Sequence, residues 1–267
     1  MVIAGVVLLL LCAGLLLARR SQQRKLREIA GTETSTVQGL LDAAKYVAER
    51  LGEAGSFSQM AELKGTIRCD SPLTSEIAGQ SCAYYQMRVT REYEEEYWEN
   101  DDRHGTRVRR TRRGSEQVAG NSQMVPFWLE DATGRILVKP EHAEIDTVKV
   151  VDRFEQAHDS GGPGVLRLGG FHLEVGIPLS GRRTLGYHFE ERVLPLDRRV
   201  YILGEVHDAP GQLVVERPKE RGRSFIISLK SEEDLIRSTE ATARHLLIGA
   251  VASGAAGIGL IIAGLVR

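Results

Sequence analysis

Cysteine is scarce in this chain, with only Cys12, Cys69 and Cys82 among 267 residues. Three thiols are too few for a disulfide scaffold or for a zinc cross-brace. A basic excess is lacking as well. The formal net charge is −1, which argues against a general nucleic-acid binder, so no nucleic acid is expected among the partners. The histidines lie singly, without metal-ligand spacing, and neither a metal nor a cofactor is expected.

The last stretch lacks charge altogether. Leu246–Val266 reads LLIGAVASGAAGIGLIIAGLV, without Asn, Gln or Pro. At about 1.5 Å per residue a helix of this length is roughly 31 Å long, enough to cross a hydrocarbon core. A transmembrane helix is the reading, with a buried core helix as the alternative. The N-terminal run Met1–Ala18 would be roughly 27 Å long and spans with slight bilayer thinning. No basic side chain precedes it, whereas Arg19, Arg20, Arg24, Lys25 and Arg27 follow. That is the reverse of a cleaved signal peptide, so an uncleaved anchor is expected. The positive-inside rule then puts the middle of the chain in the cytoplasm and both termini outside. Arg237 and Arg244 before the second run, against Arg267 after it, agree.

Five segments follow: 1–18 as a transmembrane anchor, 19–62 as a basic linker and amphipathic helix, 63–230 as a β domain, 231–245 as a connecting helix, and 246–266 as a second transmembrane helix. In the second segment Ser35-Thr36-Val37-Gln38 resembles a capping box. Val37, Leu40, Leu41, Ala44, Val47, Ala48 and Leu51 then recur at helical spacing, and Gly52 and Gly55 stand where the helix should stop. That stripe either packs on its own domain or serves a membrane surface or a dimer.

The β domain lacks helical periodicity. Expected strands are 63–69, 83–98, 106–118, 124–130, 135–138, 147–151, 170–175, 185–193, 200–206, 212–216 and 225–229, separated by turns such as Asp70-Ser71-Pro72 and Ala132-Thr133-Gly134. Many short strands read as a barrel or sandwich. The expected fold class is therefore two transmembrane helices flanking a mainly-β soluble domain, with one amphipathic helix before it. Ser231-Glu232-Glu233-Asp234 caps the connecting helix. No breaker follows before Leu246, so one continuous helix should run from the β domain into the membrane.

Catalytic signals are thin. Residues 158–163 contain DSGGP, the letters around the nucleophile of trypsin-like serine proteases. The upstream His104 and His142 lack the Ala-Ala-His-Cys context of that family's base, and a Gly-Pro loop explains the same letters. His172-Leu173-Glu174 matches the H-x-E of zinc deaminases, but no C-x-x-C follows. No catalytic, cofactor or metal residue is assigned. In Arg91–Arg113, Glu92, Glu94, Glu95, Glu96 and Glu99 oppose Arg107, Arg109, Arg110, Arg112 and Arg113. Such a hairpin is either a solvated arm held by opposite charges or a docking arm for a protein or lipid headgroups. Gly249, Ser253 and Gly257 form a small-xxx-small ladder, and Ala255, Gly259 and Ala263 a second. These ladders offer self-association into a homo-oligomer or packing on the first helix, with plain lipid exposure as the alternative. Cys69 and Cys82 bracket a turn as candidate neighbours. They stay reduced in the cytoplasm, whereas an oxidising compartment would allow a disulfide and overturn the topology.

The order of parts carries a resemblance. Gly65-Thr66-Ile67 leads to Ser71-Pro72-Leu73, and Cys82-Ala83-Tyr84-Tyr85 opens a strand with Arg88-Val89. Phe127-Trp128-Leu129-Glu130-Asp131-Ala132-Thr133-Gly134, Glu190-Glu191-Arg192-Val193-Leu194-Pro195, Val200-Tyr201-Ile202-Leu203-Gly204-Glu205 and Phe225-Ile226-Ile227-Ser228 follow. From about Leu63 to Val266 the chain resembles the GIDE family, also called the beside-a-membrane domain, whose best-known members are organelle membrane E3 ubiquitin ligases. In those ligases a RING follows the second span. Here the residues end at Arg267, so a RING-less form is expected and no ligase residue carries over. The bias to arginine over lysine is compatible with a bacterial source, and the expected location is a bacterial cytoplasmic membrane. Three functions follow from this reading: a non-catalytic sensing or protein-interaction module with an unidentified protein or small-molecule ligand, a subunit of a ubiquitin-ligase-like assembly, or a membrane-tethered hydrolase using Ser160 or an unrecognised site.

Overall fold

A computed structural model of the chain describes residues 1–51, 55–101, 106–157, 164–175, 182–209 and 212–266. In chain order the elements are α1 (Val2–Gly31), β1 (Thr34–Ser35), α2 (Val37–Leu51), β2 (Ser58–Arg68), β3 (Leu73–Thr74), β4 (Ser81–Asp101), β5 (Thr106–Met124), β6 (Phe127–Glu130), β7 (Arg135–Val138), β8 (Glu144–Ile145), β9 (Val148–Gln156), β10 (Gly164–Leu168), β11 (Phe171–Val175), β12 (Arg182–Pro195), β13 (Arg199–Ala209), β14 (Gln212–Glu216), β15 (Ile226–Ser228) and α3 (Glu232–Leu265). The molecule is mainly β, flanked by two long apolar helices, as its sequence implies. The chain divides into two compact units, one of residues 1–66, 129–145 and 199–267, the other of residues 67–128 and 146–198.

The first unit holds a closed ring of five strands, in the order β2-β6-β7-β14-β13 and back to β2. Closure leaves a barrel without free edges among those strands. β13 makes it possible by pairing along one edge with β2, from Arg199↔Thr66 to His207↔Ser58. Along its other edge it pairs first with β15 over Tyr201–Leu203 and then with β14 over Glu205–Ala209. Alternation along β2 separates two faces. Ala61, Leu63 and Ile67 are buried on one, and Met60, Glu62 and Lys64 lie on the other.

That second face receives the helices. Ile29 of α1 and Leu235 of α3 form a buried cluster with Tyr201, Leu203 and Ile226, with Met60 and Ile236 packed against it. α1 runs unbroken from the apolar run through the basic segment to Gly31. α3 is a single helix of 34 residues, opened by Ser231, whose Oγ accepts from the Asp234 N–H at 3.2 Å. The two are antiparallel: a Cβ on Gly257 would stand 3.0 Å from the Gly5 carbonyl oxygen, and one on Gly254 3.2 Å from Cys12 Sγ. Both are long and apolar enough to cross a membrane. Their outward faces are open, with Ile3 82% and Val251 64% exposed.

α2 begins one residue later than its capping box implies. Thr36 is the cap, accepting from the Gly39 N–H at 3.1 Å, because Ser35 is held in β1 opposite Leu63. Its buried stripe is Val37, Leu40 and Ala44, while Leu41 is exposed. Gly52 lies outside the described residues.

In the second unit, β4 pairs with β12 along one edge and with β5 along the other, and β9 pairs with the far edge of β12. Ile77, Met87, Val89, Tyr187 and Phe189 are its main core. β10 and β11 form a separate two-stranded hairpin.

Candidate functional site

The residues between β14 and β15, Arg217-Pro218-Lys219-Glu220-Arg221-Gly222-Arg223-Ser224, would be a free basic loop by composition. Two carboxylates fix it instead. Glu205 of β13, 9% exposed, accepts from the Lys219 N–H at 2.8 Å and from the Ser58 hydroxyl. Burial works to raise the Glu205 carboxyl, but those two hydrogen bonds together with the nearby Lys219 charge and a smaller contribution from His207 outweigh it and leave the group below its ordinary value. Glu28 of α1 accepts from the Ser224 N–H at 2.9 Å. Gly222 has φ +88, the left-handed region in which a side chain is strained, and a Cβ there would stand 2.5 Å from Arg24 Nη1.

Between this loop and α1 lies an open cavity of about 570 Å³, lined chiefly by Arg24, Arg27, Glu28, Glu220, Arg221 and Arg223. The α1 residues sit at i, i+3 and i+4, so they share one helix face. Arg223 pairs with Glu220 at 2.8 Å. A smaller cavity of about 300 Å³ adjoins it, sharing Glu220 and Arg223 and reaching Ser58 and Glu205.

On the helix-bearing face of the barrel, Glu62 is 1% exposed. It accepts from the Tyr201 hydroxyl at 3.0 Å and from Thr34 Oγ1, and pairs with Lys64 at 2.9 Å. Lys64 Nζ also reaches Glu232 in the first turn of α3 at 2.7 Å. The Lys64 pKa is raised, first by the Glu232 hydrogen bond, against burial, and then by Glu62. Burial above all, and then the Glu62 charge, push the Tyr201 hydroxyl up, so it stays protonated and donates. This network is a fastening between barrel and helix.

Most of the sequence motifs resolve into structural work. Asp131, in the Glu130–Gly134 turn, accepts from the Val37, Thr133 and Gly134 N–H groups. Glu191, fully buried, accepts from the Ile77 and Ala78 N–H groups at 2.9 and 2.7 Å and so holds the turn between β3 and β4. The charged hairpin is antiparallel, with the glutamate arm opposite the arginine arm as expected, in the register Glu94↔Arg113 and Glu95↔Arg112. Its ion pairs include Arg113–Glu94 at 3.0 Å and Arg112–Glu95 at 2.8 Å, with Arg109–Glu96 and Arg110–Glu99 further along. Trp98 is 66% exposed on this arm.

Cys69 and Cys82 carry no disulfide. Burial, then Glu191, then Cys69 push the Cys82 thiol up to about 11, so it is unreactive at neutral pH. His172 and Glu174 lie on β11 opposite Arg167 and Val165. His104 and the DSGGP string lie outside the described residues. Among the described residues no three His, Cys, Asp or Glu side chains gather to hold a metal. Gly257 and Gly249 face α1 of the same chain, while Gly259 is open.

The basic cavity was not foreseen. Arg24 and Arg27 read as a basic flank of the first apolar run, and no expectation drawn from the sequence falls on 217–224. The available signal was the arginine spacing around Gly222 in RPKERGR.

A family model described as "GIDE: E3 Ubiquitin ligase" matches residues 94–263. No curated protein and no solved structure matches the chain.

Proposed function

The chain belongs to the GIDE family, and from that premise we propose that it is a membrane-anchored, non-catalytic sensing or protein-interaction module. α1 and α3 serve as two antiparallel spans with both termini on one side. The basic flank of α1 favours a cytoplasmic β portion in a bacterial membrane. One observation above all supports the reading. α3 runs without a break from Glu232 to Leu265, and Lys64 joins its first turn to the barrel. A change on the barrel would therefore reach the span through helix and ion pair, without a flexible linker to absorb it.

Purification of the intact chain from its native membrane in mild detergent tests the proposal. The expected result is one protein or small molecule recovered at constant ratio in repeated preparations. Recoveries that hold neither would overturn it. Thiol labelling of Ser21→Cys and Asp101→Cys should occur from the cytoplasmic side alone, and labelling from outside would reverse the topology.

The family description favours a second reading, a subunit of a ubiquitin-ligase-like assembly whose RING another chain supplies. Discharge of a charged ubiquitin-conjugating enzyme should then require that second chain. Discharge by this chain alone would contradict both readings.

A further inference from the structure

We propose that the cavity between α1 and the β14–β15 loop binds a phosphate group, carried by an anionic lipid headgroup or by a soluble phosphate compound. Four guanidinium groups converge on it from two segments, Arg24 and Arg27 from the helix and Arg221 and Arg223 from the loop. Among the described residues the lining holds two carboxylates, and both are already engaged. Glu28 holds the Ser224 N–H and Glu220 holds Arg223. Arg24, Arg27 and Arg221 form no ion pair among the described residues, and Arg27 spends its Nε on the Gln23 carbonyl at 3.3 Å. Four arginines against two glutamates leave a formal excess of two positive charges at an open cavity.

The geometry is built to stay that way. Lys219 and Ser224, on either side of Arg221 and Arg223, are tied by their backbone N–H groups to Glu205 and Glu28. The left-handed Gly222 lets the loop come up against Arg24, where any side chain would push the guanidinium aside. A planar guanidinium offers paired donors that match two oxygens of one phosphate, and a tetrahedral anion can be gripped from two sides at once. A cavity of about 570 Å³ leaves room for the group that bears the phosphate.

Position along α1 admits both sources. Arg24 lies six residues past Ala18, about 9 Å along the helix, and Arg27 about 14 Å. That is the depth of the headgroup layer and the water just above it, if Met1–Ala18 spans the bilayer. The lipid source rests on the membrane reading, and the soluble source does not.

Two arms on the full chain separate the sources. In mild detergent, inorganic phosphate is titrated against chloride at constant ionic strength, which removes simple screening. In reconstitution, vesicles of phosphatidylcholine are compared with vesicles that also hold phosphatidylglycerol. Both are read by hydrogen exchange of the amides in 217–224, away from the helices. A soluble ligand slows exchange in the phosphate titration, and a lipid ligand slows it in the phosphatidylglycerol vesicles. Arg24→Gln and Arg221→Gln, both exposed side chains, should each weaken the effect about five-fold. Arg109→Gln, which removes a cation from the hairpin arm, should leave it unchanged. No slowing in either arm, or equal loss in Arg109→Gln, would overturn the proposal. The sensing reading fails separately, on native preparations that hold no partner.

Discussion

At the scale of single residues, the acidic side chains of this fold are fasteners. Asp131 is the clearest case. Its Oδ1 accepts from Thr133 N and Oγ1, both at 2.7 Å, and from Gly134 N at 2.9 Å, while Oδ2 accepts from Val37 N at 2.8 Å. Burial pushes the carboxyl up, and these hydrogen bonds outweigh it, so it titrates below the ordinary 3.8. Asp131→Asn turns one accepting oxygen into a donor that faces N–H groups. The expected cost is about 1 kcal/mol, with faster amide exchange at Val37–Gly39 in the first turn of α2. A depressed folded pKa gives stability that is whole above the unfolded value and is lost as the pH falls through the folded one. The difference in melting temperature between wild type and Asp131→Asn should therefore be full above pH 3.8 and close below it. A difference that does not change with pH would show that the amide's shape, and not the lost charge, is at fault.

At the scale of elements, the helix pair is held by absent side chains. A Cβ on Gly5 would stand 2.8 Å from the Gly257 carbonyl oxygen, and the reverse distance is 3.0 Å, so the backbones touch. Cys12 Sγ lies 3.2 Å from where a Cβ at Gly254 would be, within reach of a disulfide. In reconstituted vesicles, Gly254→Cys should oxidise to an intrachain bridge with Cys12, found as a linked peptide by mass spectrometry. Adding Gly257→Leu should sharply reduce the bridge by separating the helices. Interchain linkage instead would mean that this face pairs copies of the chain.

These helices were legible in the sequence because uncharged length and capping are local properties, and Ser231 caps α3 as its box implies. Arg135–Val138 and Gln212–Glu216 appear with their expected bounds, since Gly and Pro mark their ends. Ring closure was not legible. It depends on β13 meeting β2 across more than a hundred residues, and nothing local in Val200–Val206 names that partner. The two-residue strands β1, β3 and β8 were missed for the opposite reason, being too short to show any period. The cap at Thr36 was misplaced by one residue because the pairing that claims Ser35 is itself long-range.

At the scale of the molecule, the chain passes between its two units four times, yet both apolar helices attach to the same one. Their attachment centres on a charge that sequence position could not reveal. Glu62 is buried because Met60, Glu62 and Lys64 share the face that the helices cover, and Lys64 spans from it to Glu232. Removing the cation strands a buried carboxylate with two hydroxyl donors, Thr34 and Tyr201. Lys64 is partly exposed, so solvent moderates the loss, and Lys64→Met should destabilise the unit by about 1–3 kcal/mol. Glu62→Gln removes the charge that the lysine answers. The double variant should then be more stable than the sum of the two single losses by at least about 0.5 kcal/mol, measured by thermal unfolding in mild detergent. The lysine's raised pKa has a sign of its own. Its contribution is whole below the ordinary 10.5 and disappears as the pH rises through the higher folded value. Wild type should therefore lose stability above pH 10.5 more steeply than Lys64→Met does. Strict additivity in the cycle, with parallel alkaline profiles, would mean that barrel and helix are joined by apolar packing around Ile29 and Leu235 alone.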